Sequence, residues 1–128
     1  LVWYLDTSAF IKLVVDEESS PAMRTWHSAN EGLWSSQLLR TEGLRVAHRL
    51  AIDGSLIEQA LETLSLVLPS VATYTAAGLL RPTGLRSLDA LHLAAALEIG
   101  SDLQGMVLYD QRLAAAAHQN SIEVITPA

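Results

Sequence analysis

Apolar and polar positions follow two rhythms along the chain. The opening run, Leu1 to Leu5, is apolar without a period of two, which suits a strand covered on both faces. The pattern returns in "GLWSS", in "SLVLPS", where Pro69 is expected to end a short strand, in "GMVLYD" and in the closing "SIEVIT". Between these runs the apolar residues keep helical spacing. "SAFIKLVVDEESS" predicts a short helix leading into an acidic polar loop, and Pro21 suits the first turn of a second helix through about Asn30. "SQLLRTEGLRVAHRLAIDG" predicts a longer helix with Ser35 or Ser36 as cap and Gly54 as stop. "SLIEQALETL", "VATYTAAGLL" and "QRLAAAAHQ" predict three more, and "RPTGLRS" a loop. "SLDALHLAAALEIG" is apolar almost all round, the mark of a buried helix.

Strands that alternate with helices predict a three-layer α/β/α sandwich with a mainly parallel central sheet. The 128 residues fit one domain spanning positions 1–128, with no linker, repeat or low-complexity segment. Half the residues are hydrophobic, enough for a sizeable core. No apolar run reaches the length of a membrane span, so no membrane role is expected, and the first residues read as a strand with no cleavable leader. The chain begins at Leu1, so an initiator Met is expected before it. The absence of cysteine excludes disulfides, zinc-thiolate sites and a Cys nucleophile, and suits a cytoplasmic location.

A net charge of −6 argues against a protein that coats nucleic acid through a broad basic surface. It leaves room for a nuclease, because acids gathered around a divalent cation would bring the remaining surface nearer to neutral. Arg40 and Arg45 flank Glu42, Arg86 precedes Asp89 on the same stretch, and Arg112 follows Asp110. Such arginines suit a solvated surface or a phosphate path.

Four acids stand where a structural acid is not required. Asp6 and Asp110 each end an apolar strand, the edge at which open α/β sheets bind ligands. Either can equally cap the helix that follows. On a wheel of about 100° per residue, Glu42 falls in the arc of Leu38, Leu39, Val46 and Leu50, so it needs a partner, which Arg45 or Arg49 could supply. Asp89 lies in the first turn of the buried helix, where the helix dipole alone favours an anion. Together, buried carboxylates repel unless a cation neutralises them, and oxygen-only donors point to Mg²⁺ or Mn²⁺. Such a centre suits phosphodiester hydrolysis.

At these residues the chain resembles the PIN-domain family, and within it the VapC-type toxins of bacterial toxin-antitoxin pairs. "YLDTSAFIKL", "SSQLLRTEGLRVAHR", "LRSLDALHLAAAL" and "LYDQRLAAAA" match that family's acidic motifs in order and spacing across essentially the whole chain. The resemblance implies a PIN-like fold and an Mg²⁺- or Mn²⁺-dependent endoribonuclease whose metal is held by Asp6, Glu42, Asp89 and Asp110. It further implies an RNA substrate, a VapB-like antitoxin partner and a homodimer. Ser8 matches a hydroxyl position that helps order the first acid. Leu108 departs from the pattern, since many relatives carry Thr or Ser there, which weakens the expectation of a second tightly held ion.

The remaining chemistry-bearing residues are assigned structural roles. His92 is expected to be a core histidine bonded to backbone. Trp3, Trp26 and Trp34 are expected in the core or an interface rather than as stacking platforms for bases. Ser8 sits in no nucleophile elbow. Two alternatives keep the fold and change the chemistry: an aspartyl-nucleophile phosphatase, for which a second acid is missing at Ser8, and a catalytically idle PIN fold that acts by binding RNA or protein.

Overall fold

A computed structural model describes residues 1–128. The strands are β1 (Val2–Leu5), β2 (Leu33–Ser36), β3 (Ser65–Val67), β4 (Leu103–Val107) and β5 (Val124–Ile125). They form one sheet in the order β3-β2-β1-β4-β5, and every pairing is parallel. Seven α-helices connect them: α1 (Thr7–Ile11), α2 (Ser20–Ala29), α3 (Leu38–Leu50), α4 (Gly54–Leu61), α5 (Val71–Gly78), α6 (Ser87–Ile99) and α7 (Gln111–Gln119). A 3₁₀ turn, Gly100–Asp102, leads from α6 into β4.

The strands lack a period of two because both faces of the sheet are covered. Tyr4, Met106 and Leu108 pack on one side against Leu93 and Ala96 of α6 and Leu113 and Ala117 of α7. Their neighbours Leu5 and Val107, with Leu33, pack on the other side against Ala9 of α1 and Met23 of α2. A third cluster joins α1, α3 and α4 through Phe10, Leu39, Ala47, Ile57 and Leu61. Burying an aromatic side chain as completely as Phe10 contributes about 2–3 kcal/mol. Trp3 and Trp26 meet edge to face, ring centroids 5.8 Å apart, beside the Leu5 cluster. They are packing residues, as expected.

Details of α3 differ from the wheel. Its buried positions are Leu39, Gly43 and Ala47, a stripe of spacing four, while Leu50 is 47% exposed. Gly43 shapes this face, since a Cβ there would lie 3.0 Å from Ile57 Cγ2 and 3.1 Å from Phe10 Cε2. The N-cap is Gln37, without a side-chain cap bond; Ser36 Oγ accepts from the Leu38 amide, and Ser35 Oγ donates to the Leu5 carbonyl. Gly54 does not stop α3. Ala51 ends it in a left-handed conformation, φ 56°, and Gly54 opens α4 behind an Asp53 cap. A three-residue link, Ala51, Ile52 and Asp53, thus separates two helices where glycine alone suggested one terminus.

The strand order reverses at β1. From β1 the chain steps outward to β2 and β3, then returns to β4 on the other side, so the ends of β1 and β4 flank a topological switch point. Asp6 follows β1 directly, and Asp110 begins α7 after β4.

Candidate active site

Asp6 is both the N-cap of α1 and a buried acid, 3% exposed. One carboxylate oxygen accepts from the Ala9 amide at 3.1 Å, and Ser8 Oγ donates toward the two oxygens at 2.8 and 3.0 Å. Ser8 also accepts from the Tyr109 amide at 2.8 Å, tying the end of β1 to the loop after β4. Burial pushes the Asp6 carboxyl up to about 6, against the lowering influence of Ser8, His92 and the Ala9 amide, and Asp110 adds a raising contribution. No cationic side chain bonds to it.

Glu42 finds neither Arg45 nor Arg49. Its Oε1 lies 2.7 Å from His92 Nε2, a bond that crosses from α3 to α6. His92 is 1% exposed, and its Nδ1 lies 2.7 Å from the Tyr4 hydroxyl. Thr7 Oγ1 stands 3.1 Å from Nε2. Because a carboxylate only accepts, Nε2 carries the proton shared with Glu42. Burial pushes the Tyr4 phenol well above its ordinary range, so the phenol keeps its proton and donates to Nδ1. His92 is a core histidine, as the sequence suggested, but its partners are side chains rather than backbone.

Asp89 and Asp110 share a third residue. Arg86 Nε lies 3.0 Å from Asp89 Oδ2, and Arg86 Nη2 lies 3.2 Å from Asp110 Oδ2. Asp110 also caps α7, accepting from the Arg112 and Leu113 amides at 2.9 and 3.1 Å. The capping roles weighed for the strand-end acids therefore coexist with their place at the crevice. Leu108 is 1% exposed in the cluster beneath α6 and α7, so the hydroxyl bonded to an acid here is that of Ser8.

Three separate hydrogen-bonded groups hold the four acids: Ser8 fixes Asp6, His92 fixes Glu42, and Arg86 joins Asp89 to Asp110. In these rotamers no three acid or histidine side chains converge closely enough to hold one ion among them. Tyr4 is the participant that sequence reasoning missed, because its partner His92 lies 88 residues away. His92 was expected as a core histidine and Arg86 as a surface or phosphate-path arginine, and neither was assigned its acid partners.

The model of the PIN domain matches residues 3–126. The chain belongs to the PIN domain family. It is 35% identical to Ribonuclease VapC47 of Mycobacterium tuberculosis (strain CDC 1551 / Oshkosh), over 97% of this chain and 96% of the relative. It is 38% identical to Ribonuclease VapC46 and 37% identical to Ribonuclease VapC35 of M. tuberculosis (strain ATCC 25618 / H37Rv), with the same coverage of 97% and 96% in both cases. The chain is therefore a PIN domain of the VapC type, as its motifs indicated.

Proposed function

We propose that this protein is an endoribonuclease, the toxin of a toxin-antitoxin pair, and that it hydrolyses RNA phosphodiester bonds with Mg²⁺ or Mn²⁺ held by Asp6, Glu42, Asp89 and Asp110. The observation that carries the reading is Asp6: a carboxylate 3% exposed, at the switch point of a VapC-type sheet, bonded only by neutral donors. Ionised, it calls for a cation that no side chain of this protein provides. The donors around it are hard oxygens, which fit Mg²⁺ or Mn²⁺ rather than a thiophilic metal.

When bound, such an ion supplies Lewis acidity, a more acidic water and neutralisation of phosphate charge. The protein's own residues do the rest. Ser8 turns Asp6 toward the crevice and holds it against the β4 loop. His92 fixes the Glu42 carboxylate by an Nε2–H bond that Tyr4 orients from behind. Arg86 and Arg112 place positive charge beside the acids, where an RNA backbone would pass. An RNA substrate of this kind would have the protein act in the cytoplasm, and the same reading takes that as its location.

The partners belong to the same reading: an RNA substrate, a VapB-like antitoxin and a second copy of this chain. An open cavity of about 660 Å³ between α5 and α6, lined by Tyr74, Ala77, Leu79, Leu80, Leu85 and Leu91, offers apolar surface to a protein partner. No helix is long and apolar enough to cross a membrane.

Incubation of the purified protein with structured and single-stranded RNAs tests the reading. Internal cleavage in Mn²⁺ or Mg²⁺ that stops in EDTA, and that Asp6→Asn and Asp89→Asn each abolish, is the expected result. Cleavage that survives exhaustive chelation would overturn the metal mechanism. Hydrolysis of a chromogenic phosphomonoester without RNA cleavage would favour the phosphatase alternative.

A further inference from the structure

Arg86 makes two ion pairs at once, and both partners are acids of the proposed metal centre. Its backbone is held as the N-cap of α6, while its side chain is 64% exposed. The guanidinium therefore lies at the mouth of the crevice and not in the core. It presents Nε to Asp89 at 3.0 Å and Nη2 to Asp110 at 3.2 Å, one nitrogen to each carboxylate. Both carboxylate oxygens engaged are Oδ2, and Asp110 Oδ1 is already committed to the Arg112 and Leu113 amides. The oxygen of Asp110 left for a ligand is the one that Arg86 holds.

We infer that Arg86 is the resident counter-ion of Asp89 and Asp110, a positioning residue that a divalent cation must displace before these two acids can serve as ligands. The inference rests on the metal reading above. It explains why no three acids converge in the present rotamers: two of them are turned to the guanidinium and a third to His92. Exposed ion pairs are individually weak, so displacement is within reach of a divalent ion, and the planar fork of Arg spans two carboxylates where a Lys point charge would meet one. The released side chain has somewhere to go. A notch of about 240 Å³ bordered by Pro82, Gly84, Leu85, Arg112 and Ala115 adjoins Arg86 and Asp89. Arg112 lines that notch, and its side chain forms no ion pair, so it carries the same charge in the same neighbourhood without touching an acid.

That contrast supplies the experiment. Mn²⁺ binding to the purified full chain is followed by loss of the free-ion electron paramagnetic resonance signal, a readout independent of RNA cleavage. Arg86→Gln removes the competitor and is expected to bind Mn²⁺ roughly three- to tenfold more tightly than wild type, the effect of releasing two exposed ion pairs of ordinary strength. Arg112→Gln, which lowers the local positive charge by the same amount, is expected to change affinity less than twofold. Arg86→Lys, with charge retained and only one carboxylate in reach, is expected to fall between wild type and Arg86→Gln. Circular dichroism confirms that each variant is folded. An Arg86→Gln affinity equal to or weaker than wild type overturns the inference, and so does an Arg112→Gln gain as large as that of Arg86→Gln. If wild type and Arg86→Gln both fail to bind Mn²⁺, the metal reading itself falls and the inference falls with it.

Discussion

The Tyr4 hydroxyl and His92 Nδ1 lie 2.7 Å apart, joining the first strand to the middle of α6 across 88 residues of sequence. Both side chains are fully buried or nearly so, at 0% and 1% exposure. Through the imidazole the bond continues to Glu42 on α3, so the central strand of the sheet sets the orientation of an acid on a flanking helix. Buried polar groups are tolerated when every member of a network is satisfied, and no buried side-chain nitrogen or oxygen here lacks a partner.

Replacing His92 breaks the network at its centre. His92→Ala strands the Tyr4 hydroxyl and Glu42 at once and opens a cavity, and is expected to cost about 3–5 kcal/mol. Tyr4→Phe removes only the outer donor and is expected to cost about 1–3 kcal/mol. Urea denaturation of both variants measures the ordering. A Tyr4→Phe loss as large as that of His92→Ala would show that the imidazole does not depend on Glu42 as its second anchor.

The raised Asp6 carboxyl sets a pH dependence whose sign is fixed. In the unfolded chain Asp6 titrates near the ordinary value of 3.8, and in the folded chain at about 6. Below about pH 4 the carboxyl is protonated in both states and costs nothing. Between about pH 4 and 6 the unfolded state releases the proton first, so stability falls as pH rises, by up to about 3 kcal/mol once both states are ionised. Thermal melts in EDTA across this range should show the decline in wild type and a flatter profile in Asp6→Asn, which should be the more stable protein at pH 8. A wild-type profile that rises through the same window would contradict the burial argument. Metal uptake should weaken as pH falls through about 6, because the ligand must then lose a proton.

Much of this was legible in the chain because it depends on local pattern. Unbroken apolar runs marked doubly covered strands, and Asp6 and Asp110 could be placed at strand ends from "YLDTS" and "LYDQR" alone. What the sequence could not reveal was pairing across distance. Glu42 had Arg45 about one turn and Arg49 about two turns further along the same helix, and helical spacing made one of them the natural partner. The fold instead turned it to His92 on another helix, because the buried stripe of α3 runs through Leu39, Gly43 and Ala47 rather than the wheel's Leu38-to-Leu50 arc. The expected mutual repulsion likewise moved: the acid that bears the cost of burial is Asp6, and the carboxylate that adds to it is Asp110.

Glycine positions make a separate test of the packing. A Cβ on Gly105 would lie 2.7 Å from the Glu123 carbonyl oxygen and 2.9 Å from the Trp3 ring. The first neighbour is backbone, bonded to the Met106 amide at 2.8 Å, and cannot move without opening the β4–β5 pairing. Gly105→Ala is therefore expected to destabilise by about 1–3 kcal/mol. Gly78, in the last turn of α5, has nothing within 4 Å of its ideal Cβ, and Gly78→Ala is expected to be neutral or to stabilise by up to about 1 kcal/mol. Chemical denaturation of the pair decides whether the close approach at β5 is real.

Ser8 offers the most discriminating test of how the site is held. Its hydroxyl donates to Asp6 and accepts from the Tyr109 amide, so one oxygen links the acid of β1 to the loop that carries Asp110. Ser8→Ala removes both bonds. The Tyr109 amide loses its acceptor, and Asp6 loses the hydrogen bond that most lowers its carboxyl. Stability is expected to fall by about 1–2 kcal/mol and the Asp6 titration to move further upward. RNA cleavage should fall by roughly tenfold or more at pH 7 and recover in part at higher pH, where a carboxyl with a raised pKa is again ionised. Ser8→Thr keeps the hydroxyl and should restore both the pH profile and most of the rate. If Ser8→Ala lowers activity equally at every pH, the hydroxyl acts by holding the loop rather than by tuning Asp6. If it changes neither stability nor activity, the link between the two strand ends is not what positions the acids.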